Sequence, residues 1–246
     1  MSAKQSPSPS PSPLAAEQTD LRWPALVLPV VALALVGVLL LWAFPRSSAD
    51  AAQPVTLSRT HEVVPRTARQ QAFHDQMRKL WEDHVTWTRL AIVTFADGSA
   101  GFPAAAGRLL QNQSDIGAAI APFYGDAAGA RLTALLHDHI TIAVEILEAA
   151  KAGDTAAFTS ARTRWYANAN DIADFLSAAN PRFWPDAVLR DDMRVHLDQT
   201  LAEAAHELAG GYATGVADYD AVHAHILRMA DMLSGGIIGA FPSAFR

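Results

Sequence analysis

Residues 132–150 read LTALLHDHITIAVEILEAA. At about 100° per residue, Leu132, Leu135, Leu136, Ala143, Ile146, Leu147 and Ala150 fall on one face of a helix. A strand would scatter these positions over both its faces, because its side chains alternate at every residue. An apolar stripe of that width has to be buried, so it commits the rest of the chain to supplying other apolar helix faces. His139 stands in the middle of the stripe. An imidazole there is either hydrogen-bonded in the interior or binds something there, since a buried polar group left unsatisfied costs free energy.

The same period recurs along the chain. Pro65 opens a helix that carries Phe73, Met77, Leu80, Trp81, Thr88, Ala91, Ile92 and Phe95 on one side, with His84 at its centre, and Asp97-Gly98 ends it. Pro103 opens a second, with Leu109, Ile116 and Ile120 inward and Asn112 and Asp115 at the stripe's edge. Residues 122–125 read as a turn, and the third helix then runs from Asp126 to Gly153. Asp154 or Thr155 caps a fourth, whose apolar face includes Trp165 and Ile172 together with Asn168, with Asp171 beside it. After Asn180-Pro181 and Pro185 comes a fifth with Met193, Leu197 and Leu201 inward and His196 and Glu203 on the margin. A glycine-rich loop over residues 210–215 leads to a sixth, which Gly235-Gly236 weakens near its end. With no period-2 stretch and short turns, the expected fold is all-α, an antiparallel bundle of about six helices behind one N-terminal transmembrane helix.

That N-terminal helix is expected over residues 23–45. The uncharged run 24–44, PALVLPVVALALVGVLLLWAF, is long enough to cross a bilayer core and is flanked by Trp23 and Trp42. Before it, residues 1–22 hold a Pro/Ser-rich tail too polar to build a core, and residues 46–64 read as a linker to the bundle at 65–246. The expectation is a single-pass membrane protein with its bundle outside the cytoplasm. The alternative is secretion after cleavage near Ala51, where Ala49-Asp50-Ala51 has an Ala-x-Ala form. The apolar run exceeds the usual length of a signal peptide's core, which favours the uncleaved anchor.

Composition removes several functions. The formal net charge is −6 and there is no long basic run, which argues against nucleic acid as a partner. The absence of cysteine removes disulfides, thiolate ligands and a cysteine nucleophile. No serine elbow, nucleotide loop or zincin motif is present, so no catalytic residue is assigned.

What remains is the interior polar set. Across a tight antiparallel turn, residues equally far from the turn come to one level, and His139 and Asn168 flank Gly153 almost symmetrically, as Asn168 and His196 flank Arg182. His84, His139 and His196, with the nearby carboxylates Asp115 and Glu203, form a candidate ligand set for a divalent transition metal, Zn, Cu, Fe or Mn, or a site for a small polar ligand. Asn168, Asp171 and Asn112 would orient the ligating rings from behind. By contrast, His137 and His139, like His223 and His225, are two residues apart and cannot share an ion from one helix. The competing expectation is a purely structural polar network in a protein-interaction module.

The segments LWEDHVTWTR at residues 80–89, RLLQNQSDIG at 108–117 and WYANANDIADFL at 165–176 resemble a family of uncharacterised bacterial helical-bundle proteins, membrane-anchored or secreted. The resemblance covers residues 73–245. It implies a bundle fold and a bacterial origin, and since the family has no established activity it carries over no functional residue.

Overall fold

A computed structural model describes residues 65–246. The Pro/Ser tail, the apolar run and the linker expected before residue 65 lie outside the described residues. Those described contain six α-helices and no strand: α1 (Ala68–Ala96), α2 (Phe102–Tyr124), α3 (Asp126–Ala152), α4 (Thr155–Ala179), α5 (Asp186–Leu208) and α6 (Tyr212–Ala240), followed by a 3-10 turn at Pro242–Phe245. No helix among the described residues is long and apolar enough to cross a membrane.

The helix ends follow local chemistry where the chain is exposed. Thr67 caps α1 in a reciprocal box with Gln70, so the helix starts just after Pro65 rather than on it. Gly153, at φ +74°, ends α3 in the left-handed conformation, and the Asp154 side chain accepts from Ala157 N at 2.9 Å to start α4.

Three expected breaks are corrected, all where burial outweighs propensity. Pro122 lies inside α2, and only Gly125, at φ +89°, breaks the chain there. The turn after Pro122 is held because Phe123 packs into an aromatic cluster with Phe73, Phe241 and Phe245, at centroid distances of 5.1, 5.5 and 5.4 Å. Gly215 belongs to α6, not to a loop. Gly235-Gly236 does not weaken α6 either: a Cβ on Gly236 would stand 2.0 Å from Trp184 Nε1, so the glycine is what lets the indole pack on the helix backbone.

Each helix packs chiefly on its neighbours in the chain, and α6 returns to α1 to close the bundle. Thr67 bonds Phe245 O, Arg78 pairs with Asp231, the Thr86 hydroxyl meets that of Tyr219, and Arg89 reaches Gly215 O, so α1 and the chain from α6 onward run in opposite directions. One large apolar core runs through the bundle, and Ile92, Leu147 and Ala204 form a smaller cluster with Phe95 and Leu208. A polar layer lies against the smaller cluster, sharing one cavity with Ile92, Leu147 and Ala204.

Candidate functional site

That layer is made by three helices. His84 from α1, His139 from α3 and His196 from α5 each occupy a core-facing position, and each is buried, with at most 4% of its surface exposed. The ring of His196 lies 5.6 Å from that of His84 and 6.5 Å from that of His139, centroid to centroid.

Neighbouring amides fix the protons on two of the rings. The Asn168 Nδ2 donates to Leu135 O at 3.0 Å, which turns its Oδ1 toward His139 Nδ1 at 2.9 Å. The His139 Nδ1–H therefore donates, and its Nε2 keeps a lone pair. On the other side, Gln113 Nε2 lies 3.1 Å from His84 Nδ1, with Leu109 O at 2.9 Å and Asn112 Oδ1 at 3.2 Å. Asn112 is itself oriented by donating to Leu80 O at 3.0 Å. With acceptors around it, the Gln113 nitrogen donates, so His84 Nδ1 accepts and the ring carries its proton on Nε2. His196 has no such tether, and its buried Nδ1 has no hydrogen-bond partner.

Burial holds all three rings neutral. It lowers His139 to about 4 and, helped by the neighbouring His139, lowers His84 to about 3. His196 is held well below its ordinary value by burial first, and then by His84, His139 and His225. Trp165 stacks on His139 at 5.0 Å and donates its indole N–H to the His139 carbonyl at 3.0 Å, which fixes that helix position from below.

The three rings line a cavity of about 60 Å³, whose remaining wall is mostly hydrocarbon from Ile92, Leu109, Ile140, Leu147 and Leu201. A metal–imidazole bond of about 2.0 to 2.1 Å sets two rings on one tetrahedral ion roughly 5 Å apart, centroid to centroid. The separation of His84 from His196 is close to that, and the 6.5 Å between His139 and His196 is more than 1 Å too wide. Among the described residues no three His, Asp or Glu side chains are arranged to hold a metal ion.

The carboxylates expected beside these rings are elsewhere. Asp115 is half-exposed, accepts from Gln111 at 3.1 Å and faces Arg108, because it is two residues, and so roughly 200°, around α2 from Gln113. Glu203 is buried but turned to Arg89, at 2.9 Å, and Glu207 binds the same guanidinium at 2.6 Å. Asp171 is exposed on the outer face of α4, where it shares a groove with Asp138 and Glu145, and supports no ring. Asn112 touches Gln113 rather than a histidine.

Gln113, Arg89 and Glu207 were not singled out from the sequence, and His225 was considered only as half of a pair with His223. Gln113 continues the stripe of Leu109, Ile116 and Ile120, and His225 continues that of Val222 and Met229, so spacing could have found both. His225 donates from Nε2 to Asp192 O at 2.9 Å. Arg89 sits between Val85 and Ile92 at helical spacing, and Glu207 one turn after Glu203. Burial pushes Glu203 up to about 7, against the opposing pull of Arg89.

Comparison with protein-family models, with curated proteins and with solved structures finds no match.

Proposed function

We propose that this protein is a ligand-binding module, anchored in a membrane by residues 24–44 with its bundle outside the cytoplasm, that takes a transition-metal ion or a small polar ligand in the layer of His84, His139 and His196. The observation that carries the reading is the convergence of three neutral imidazoles on one cavity, with His196 Nδ1 left without a partner. An unpaired buried nitrogen costs about 1 to 3 kcal/mol, and this one, unlike the equally unpaired Trp81 Nε1 of the apolar core, belongs to a ring that lines the cavity.

A second reading draws on the tethers of His84 to Gln113 and of His139 to Asn168. On it the layer only fixes helix register, and the bundle is a non-catalytic interaction module. The two separate on one experiment with the full-length chain in mild detergent. The protein is equilibrated with Zn, Cu, Fe and Mn and analysed for bound metal, while small molecules released on denaturation are identified by mass spectrometry. The binding reading expects a near-stoichiometric ligand that is lost in His139→Ala while helicity is kept. No ligand in either protein overturns it and leaves the structural network.

A further inference from the structure

The proton positions in the layer restrict what can bind there. His84 and His139 both line the cavity, and each leaves Nε2 as its free ring nitrogen. The first presents an N–H donor and the second a lone pair. Resting on the binding reading above, we infer that the cavity accepts an uncharged molecule of a few heavy atoms that carries both a hydrogen-bond donor and an acceptor on a short hydrocarbon body, a short alcohol or a short primary amide.

Four observations exclude the other ligand classes. A metal ion needs a lone pair from each ring, and His84 offers none at Nε2 while its Nδ1 is occupied by Gln113. An anion needs a positive charge, and no ionised side chain lines the cavity. A cation meets the same hydrocarbon wall without a carboxylate, since Glu203 and Glu207 are both committed to Arg89. Size excludes aromatic rings: the cavity is about 60 Å³, room for about two waters, whereas the dry cavity known to take benzene is about 150 Å³. His196, untethered and free to donate or accept, adapts to either end of the ligand.

The test uses the full-length chain in detergent with its histidines labelled with nitrogen-15. Two-bond proton–nitrogen correlation reads the tautomers directly, and the expected result is a proton on Nε2 of His84 and on Nδ1 of His139. Ethanol and acetamide should then shift the nitrogens of both rings saturably, leaving His137 on the α2 side of α3 unchanged. Xenon, which fills apolar space without hydrogen bonds, should not reproduce those shifts. Asn168→Leu removes the acceptor for the His139 proton, and ethanol should bind it about tenfold more weakly. If that variant does not fold, the wild-type titrations decide alone. Zn(II) shifting the rings where ethanol does not would overturn the neutral-ligand inference and keep the layer as a binding site. Equal shifts from xenon and ethanol would overturn the hydrogen-bonding requirement. No response to any of the probes would overturn both readings.

Discussion

Arg89 bridges two buried carboxylates, Glu203 and Glu207, of which at most 2% of each side chain is exposed. One guanidinium cannot neutralise both, so the cluster holds either a buried negative charge or a proton, in keeping with the raised Glu203. Replacing Arg89 with Met should destabilise the protein by about 3 to 5 kcal/mol, because two carboxylates are then left uncompensated. Adding Glu203→Gln and Glu207→Gln should restore most of that loss, as read by urea denaturation; a triple variant no more stable than the single one would show that lost packing dominates. This cluster also marks the limit of the sequence at this scale. Glu203 is recognisably near the core, but its partner is 114 positions away on another helix. The layer of His84, His139 and His196 is legible because axial level along a helix follows from counting. Which of Asn112, Gln113 and Asp115 turns toward His84 depends on rotation about α2, where one residue is about 100°.

At the scale of elements, glycine decides how closely two helices approach. Gly117 of α2 and Gly129 of α3 face each other so tightly that a Cβ on Gly117 would stand 2.6 Å from Gly129 O and 2.0 Å from Thr133 Oγ1. Backbone cannot yield as a flexible side chain can, so Gly117→Ala should lower stability by about 1 to 3 kcal/mol. Gly107, on the same helix with open space around it, is the control: its change to alanine should be neutral or stabilising by up to about 1 kcal/mol. Thermal denaturation of the pair checks this, and equal effects would mean that helix propensity, not contact, governs both sites. The same contrast explains the misplaced ends of α2 and α6. Local propensity reads Pro122 and Gly235-Gly236 as breakers, but the aromatic cluster around Phe123 and the packing of Trp184 on Gly236 are tertiary facts. Where no such packing intervenes, as at Asp97, Gly153 and Asp154, the sequence and the structure agree.

For the whole molecule, the interior ionisable groups set how stability follows pH, and they act in opposite directions. His84 and His139 are depressed in the folded state from 6.5 to about 3 and about 4. Between those values and 6.5 the unfolded chain binds the extra protons, so their contribution is present above pH 6.5 and is lost as pH falls, by roughly 5 kcal/mol for His84 and roughly 3 kcal/mol for His139. His196 acts in the same direction. Glu203 is raised from 4.5 to about 7, so the folded state binds the extra proton, and its contribution is present below pH 4.5 and lost as pH rises through 7. From 4.5 to 6.5 three histidines outweigh one carboxylate and stability should climb with pH; above 6.5 the last of the histidine gain is offset by the loss at Glu203, and the climb levels off. A plateau rather than a maximum is therefore expected above neutral pH. Urea midpoints measured from about pH 4 to about pH 8 should show this rise and plateau, and Glu203→Gln should make the rise steeper by removing the opposing titration. An acid limb that persists when His84, His139 and His196 are all replaced by glutamine would place the titrating groups outside the layer. Its disappearance would establish that the bundle tolerates these rings only as neutral imidazoles, the state in which they can exchange hydrogen bonds with an uncharged guest.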